Sequence, residues 1–360
     1  MASPSFQTSA RAKAKAFVSG RRAPDPSARS ASARVREPAN LADHSALLAS
    51  NRELGWRSNI LVEGFRQGIH HSRLHGFSSE FAQYKNYTPN DDLRHLDWHV
   101  LGRLDRLCIR QHEAETNLRA HLIVDASASM AYQSEGSPRS KADHAALLSA
   151  AFTRLLTGQN DACGLTVLTP DATSGPQHIE PALGRLHVDR VLAMLEKSLT
   201  QSAQPTPPNA ETVPPDTIAP ALDALAASLS RRGLIAVFTD GFEDIEPLFE
   251  SLRLLRVGRH DLVLVQVVDP QEIAFEFEGR KRFRDLETGT RLPVSPSLVR
   301  KRYLDALKTH QDHLESSCAV LAVHHVLAVT NESPFQTLYQ LARARGPHTA
   351  ARRAGAGGVR

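Results

Sequence analysis

The chain has 360 residues, 41% hydrophobic and 23% charged, which is ordinary for a globular protein with room for two domains, or for one large α/β domain with an added module. Its formal charge of +4 is unevenly spread: residues 1–40 carry +6 and residues 342–360 carry +5, leaving −7 for residues 41–341. This argues against a nucleic-acid-binding body, and no apolar run reaches the roughly 18–20 residues of a membrane-spanning helix.

The N-terminus is basic but has no apolar h-region of the kind a secretory signal needs, so a cytoplasmic protein with no membrane insertion is expected. Cys108, Cys163 and Cys318 are odd in number, far apart and outside any C-x-x-C pair, which argues against both a disulfide framework and a structural zinc site. Residues 1–40 are rich in Ala, Ser, Arg and Pro and read as a disordered basic tail, as do residues 345–360.

Residues 41–117 read as a smaller module. Helix-compatible spacing surrounds Leu47, Leu48 and Leu54, and Trp56 with Ile60, Leu61 and Val62 supplies a packing surface. Further on, Tyr84, Tyr87 and Trp98 stand among Asp91, Asp92, Arg94, Asp97, Arg103, Asp105 and Arg106. Charges this dense around aromatics are tolerated when several are half-buried and paired, so structural ion pairs are expected ahead of an acid–base set. Pro89 and Asn90 supply a turn, and residues 107–111 read as a strand.

The most informative stretch is 120–130, A-H-L-I-V-D-A-S-A-S-M. Its front half is a continuous apolar run suited to a parallel strand covered on both faces. At the C-terminal end, where open α/β sheets bind ligands, come Asp125, Ser127 and Ser129. Three small oxygen donors at alternate positions on a tight loop suit a hard divalent cation such as Mg²⁺.

The remainder alternates strand and helix. A helix is predicted over 141–157, a strand over 161–168 with Gly164 marking close packing, an edge strand over 178–181, and a helix over 188–199 with Val191, Leu192 and Leu195 inward. Residues 202–215 form a Pro- and Thr-rich loop, after which Asp216 or Thr217 could cap a helix through Leu222, Leu225 and Leu229. A strand over 234–239 ends in Thr239-Asp240-Gly241, followed by a helix over 245–255 and a strand over 262–268. Alternation around Ile273, Phe275 and Phe277 predicts a hairpin insertion within 272–292. A helix over 297–314, a strand within 319–329 and a helix after Pro334 complete the chain. His324 and His325 are neighbours in that strand, point to opposite faces, and read as structural.

Asp-x-Ser-x-Ser after a buried strand resembles the metal-ion-dependent adhesion site of von Willebrand factor A domains. The block from Gly76 to Leu107, which includes Y-T-P-N-D-D-L-R-H-L-D-W-H-V-L-G-R, resembles the signature of the domain-of-unknown-function 58 family, with Asp91, Asp92, Arg94, Asp97, Trp98 and Arg103 as signature residues. That family carries such a block directly upstream of a von Willebrand A-like domain. The resemblance implies an α/β fold over residues 118–344: a von Willebrand A-like, Rossmann-type, mostly parallel sheet with helices on both faces, preceded by the family-specific module. It also implies that Mg²⁺ or Mn²⁺ is held by Asp125, Ser127, Ser129, a loop threonine and Asp240. Thr217 matches the threonine's place, although Pro215-Asp216 stands where a glycine is usual, and Thr212 is the alternative.

In von Willebrand A domains the open position on the cation takes a carboxylate from a partner, so the resemblance implies a protein-interaction module. Relatives are often encoded beside MoxR-type AAA+ ATPases, which implies an adaptor or co-chaperone partnered by such an ATPase or its client. Enzyme readings find little support: there is no phosphate loop, no H-E-x-x-H and no G-x-S-x-G elbow. The alternatives are a metal-dependent phosphoester hydrolase using Asp97 or His99, and a nucleic-acid binder working through the tails.

Overall fold

The computed structural model describes residues 53–71, 84–86, 108–110, 118–168, 176–202, 218–229, 231–242, 244–286 and 290–344. The first element is α1 (Leu54–His71), followed by two short strands, β1 (Tyr84–Asn86) and β2 (Cys108–Arg110), which pair antiparallel. The expected strand over 107–111 is β2; its partner β1 was not foreseen. The tails, the signature residues Asp91, Asp92, Arg94, Asp97, Trp98 and Arg103, and the threonines Thr212 and Thr217 lie outside the described residues.

From residue 119 the chain builds a six-stranded sheet. Its strands are β3 (Arg119–Asp125), β4 (Ala162–Leu168), β5 (Gln177–Ala182), β6 (Leu234–Thr239), β7 (Asp261–Val268) and β10 (His324–Val329). The order across the sheet is β10-β7-β6-β3-β4-β5, with every neighbour parallel except β5, which runs antiparallel at the edge. β3 and β6, in the middle, are buried along nearly their whole length, while β5 alternates half-buried and exposed. That difference follows from the sequences: L-I-A-V-F-T is apolar up to its final threonine, whereas Q-H-I-E-P-A is not. Gly164 of β4 sits where β5 bulges toward it; a Cβ there would lie 2.8 Å from the Ile179 carbonyl oxygen and 2.9 Å from the Pro181 nitrogen.

Helices cover both faces. On one side α2 (Lys141–Thr157) is buried over most of its surface, with α3 (Arg185–Ser202), α1 and α8 (Pro334–Ala344) around it. α1 buries Leu54, Leu61, Val62 and Phe65, the last tilted against Phe335 of α8 at 5.7 Å. Arg57 clamps Asp143 of α2 through two bonds of 2.8 and 2.6 Å. On the other side α4 (Ile218–Ser228), α5 (Ile245–Val257) and α7 (Pro296–Leu321) close a core of Leu222, Leu248, Leu252, Leu314 and Cys318 over Ile123, Val237 and Leu264 of the sheet.

Two elements differ from expectation. The expected hairpin begins instead with a short helix, α6 (Pro270–Ala274), because Pro270 suits the first helical position and Asp269 and Glu272 form a capping box. The hairpin proper is β8 (Lys281–Arg284) with β9 (Arg291–Val294). α7 runs to Leu321, beyond the expected end at 314, because Cys318 one turn after Leu314 still faces the core. Among the described residues no helix is long and apolar enough to cross a membrane.

Candidate metal centre

Asp125 closes β3, the strand flanked by β4 and β6, and is 2% exposed. Its Oδ1 accepts the Ser127 amide at 2.8 Å, folding the chain back over the strand end, and its Oδ2 accepts the Thr239 hydroxyl at 3.1 Å. Ser127 precedes a single 3₁₀ turn (Ala128–Ala131), which brings the Ser127 and Ser129 hydroxyl oxygens to 3.0 Å from one another. Next door, β6 ends at Thr239, whose hydroxyl oxygen accepts the Gly241 amide at 3.1 Å. Gly241 has φ of +71°, a left-handed turn that suits glycine. Asp240, also buried, accepts the Phe242 amide on Oδ1 at 3.2 Å, and Gln266 donates to its carbonyl oxygen at 3.2 Å.

The two carboxylates affect each other. Burial, then the charge of Asp240, pushes the Asp125 pKa up to about 6, against the hydrogen bonds from Ser127 and Thr239, which favour the ionised form. Burial therefore makes the Asp125 charge costly, and the hydrogen bonds from Ser127 and Thr239 offset part of that cost.

One cation is built in, and the sequence reading did not single it out. Ser140 caps α2 by accepting the Asp143 amide at 3.2 Å, and Lys141, the first helical residue, is 1% exposed. Its ammonium donates to Asp240 Oδ2 at 3.0 Å and to Glu272 Oε1 at 2.7 Å, and lies 5.3 Å from the centre of the Phe242 ring. A helix N-terminus disfavours a cation, so the carboxylates must hold it there. Burial pulls its pKa down, but Asp240 and Glu272 together outweigh burial and keep it charged. The local signal was a lysine placed against the helix dipole directly after a capping serine; its partners lie 99 and 131 residues away.

A third strand end adds Asp269, fully buried after β7, which accepts the Gln271 amide at 2.9 Å and the Ser134 amide at 3.1 Å. Glu272 accepts the Asp269 amide at 2.8 Å while holding Lys141. Of the expected ligands, Asp125, Ser127 and Ser129 share one loop and Asp240 stands on the adjoining strand end. His325 is a structural neighbour, its Nε2 lying 3.2 Å from the Gln266 side-chain oxygen.

Asp125, Ser127, Ser129 and Asp240 offer oxygen donors alone, the donor type a hard cation takes. Among the described residues no group of three or more His, Cys, Asp or Glu side chains could hold a metal, so a cation here depends on hydroxyls and water. Mg²⁺ binds oxygen octahedrally at about 2.1 Å, which sets adjacent ligand oxygens roughly 3.0 Å apart. The Ser127 and Ser129 hydroxyls are hydrogen-bonded to one another at 3.0 Å, a separation that also equals one edge of such an octahedron.

A central parallel strand ending in Asp-x-Ser-x-Ser, neighbours in the order given, and one antiparallel edge strand define a von Willebrand A-like α/β domain. The chain belongs to the family described as protein of unknown function DUF58, which matches residues 83–313. The uncharacterized protein Rv1480 of Mycobacterium tuberculosis is 27% identical over 258 residues, covering 71% of this chain and 76% of that one. Among solved structures, BatB from Bacteroides thetaiotaomicron is 16% identical with a TM-score of 0.40, over 63% of this chain and 98% of that one. The VWA domain of SpRpn10 is 12% identical with a TM-score of 0.32, over 64% of this chain and 98% of that one.

Proposed function

We propose that this protein is a metal-dependent protein-interaction module that grips an acidic residue of its partner, with no catalytic residue of its own. The observation that carries this reading is the paired hydroxyls of Ser127 and Ser129 beside the buried, partly uncompensated Asp125. Ser127, Ser129 and a loop threonine, Thr217 or Thr212, would hold Mg²⁺ or Mn²⁺ directly, with Asp125 and Asp240 acting at least partly through its water. Bound there, the ion supplies an electrophile with a coordination position left for an outside carboxylate.

The protein's own residues do the rest. Asp125 orients the serine loop through the Ser127 amide and ties it to β6 through Thr239. Lys141 takes one oxygen of Asp240 and so sets how much of that carboxylate's charge is left for the ion. Hydroxyl ligands carry no charge, which leaves the ion electron-poor toward an incoming anion.

The partner in this reading is a MoxR-type AAA+ ATPase or its client, for which the chain acts as adaptor or co-chaperone. It rests on the resemblance of the chain to proteins encoded beside such ATPases. The test is co-purification of the full chain with the MoxR-type ATPase of its own organism, in Mg²⁺ and in EDTA. Retention is expected in Mg²⁺ only, and Asp125→Ala is expected to remove it while the fold persists. A complex that survives both EDTA and Asp125→Ala contradicts the metal-bridged reading.

A further inference from the structure

The insertion between β7 and α7 has two faces of opposite chemistry. Residues 280–291, R-K-R-F-R-D-L-E-T-G-T-R, hold five cationic side chains against Asp285 and Glu287. In the antiparallel pair, Phe283 stands opposite Leu292, Arg284 opposite Arg291 and Arg282 opposite Pro293. Directly opposed residues share a face and successive residues swap faces. Phe283 therefore lies on one side with Lys281 and Leu292, and Arg282, Arg284 and Arg291 lie on the other with Pro293.

The phenylalanine side is anchored. Phe283 lies 5.8 Å from Phe275 and 5.0 Å from Phe277, and Phe275 stacks on Tyr303 of α7 at 4.2 Å. The arginine side is exposed, and none of its three guanidinium groups has an ion-pair partner among the described residues. Arg284 directly opposite Arg291 is a like-charge cross-strand pair, an arrangement that costs stability until an anion lies across it. The anchoring also ties the insertion to the metal-centre edge. Tyr303 donates to the Glu272 carbonyl oxygen at 2.9 Å, and the Glu272 side chain holds Lys141.

We infer that the face formed by Arg282, Arg284 and Arg291 is a second contact surface for the partner, and that it takes a short acidic segment of a protein. This rests on the interaction reading above and adds the chemistry of the partner: several Asp or Glu residues near the carboxylate that reaches the cation. Arginine forks pair bidentately with carboxylates, and three of them on an anchored hairpin are pre-organised to do so. A long polyanion such as nucleic acid would also run over a body whose residues 41–341 carry −7, whereas a short acidic segment can stay on the arginines.

The test is fluorescence anisotropy of the full chain with labelled polyglutamate, with labelled oligothymidylate run in parallel. The triple variant Arg282→Gln, Arg284→Gln, Arg291→Gln is compared with a charge-matched tail variant, Arg352→Gln, Arg353→Gln, Arg360→Gln. The hairpin variant is expected to weaken polyglutamate binding by at least about tenfold, and the tail variant by less than about threefold. Arg284→Gln alone should weaken it by about threefold, which keeps the test usable if the triple variant loses stability. Equal losses in the two triple variants would overturn the inference, as would oligothymidylate binding tighter than polyglutamate and lost with the hairpin. Measured in EDTA, the hairpin difference should persist. A failure of the metal reading therefore leaves this readout intact, and a hairpin without effect leaves the Mg²⁺ dependence intact.

Discussion

Lys141→Met is expected to destabilise the protein more than any other single change at the candidate site, by about 3–5 kcal/mol, or roughly 10 °C in melting temperature. The ammonium is 1% exposed and is shared by Asp240 and Glu272 at 3.0 and 2.7 Å. Removing it strands both carboxylates without a counter-charge, and an orphaned buried charge costs far more than a surface pair contributes. The loss should shrink as the pH falls, because burial already raises the Glu272 pKa against the pull of Lys141, and losing the ammonium removes that pull. Stability tied to a raised pKa is present at low pH and is lost as the pH rises through it. Mg²⁺ should restore more stability to the variant than it adds to the wild type, since the ion would replace the missing charge at Asp240. Thermal melts in EDTA and in Mg²⁺ at two pH values check this; a Lys141→Met protein as stable as the wild type would show that the ammonium is not what holds these carboxylates.

The second large effect has the opposite sign. Asp125→Asn should stabilise the metal-free protein above pH 6 and abolish its response to Mg²⁺. The Asp125 carboxyl titrates near 6 in the folded protein against an ordinary 3.8. Below pH 3.8 folded and unfolded chains both carry it protonated and its charge costs nothing. Between 3.8 and the raised folded-state value the unfolded chain ionises first, so folding loses ground, and above that value the penalty is constant. Asparagine carries no charge and retains an oxygen for the Ser127 amide, but its NH2 group replaces the oxygen that accepts the Thr239 hydroxyl, which offsets part of the gain. Denaturant melts in EDTA should therefore show a gain on the order of 1 kcal/mol at neutral pH that fades below pH 4. A destabilised Asp125→Asn protein at neutral pH would mean that the carboxylate is already compensated in the apo state.

Together these effects describe an edge where three neighbouring parallel strands end in aspartates: Asp125, Asp240 and Asp269. Asp269 is satisfied by amides and closes a capping box, and Asp240 is shared with a lysine. Among the described residues Asp125 has hydrogen bonds but no ammonium paired with it. In this account the lysine keeps the edge folded without a cation, and Asp125 keeps it receptive to one.

Much of this was legible in the sequence because it is written in short-range pattern. The run A-H-L-I-V-D and the apolar L-I-A-V-F-T specify central strands, and the helix over 141–157 shows in its apolar spacing. Asp125, Ser127 and Ser129 are local to one loop, so their spacing carries their geometry. Lys141 was hidden because a pairing across 99 or 131 residues leaves no periodic trace. The hairpin was only half visible: Ile273, Phe275 and Phe277 alternate like a strand, yet Pro270 and the Asp269–Glu272 capping box wind the first part into a helix. Capping won there because it satisfies backbone amides that a strand at that place would have to pair elsewhere.

The most direct test of the central claim is equilibrium dialysis of the full chain against Mn²⁺, read by electron paramagnetic resonance, for the wild type and for Ser127→Ala, Ser129→Ala. The account predicts one Mn²⁺ bound per wild-type chain, displaced by excess Mg²⁺, and loss of that ion when the two hydroxyls 3.0 Å apart are removed. A wild-type chain that binds no Mn²⁺, or a double variant that binds it as well as the wild type, would contradict it.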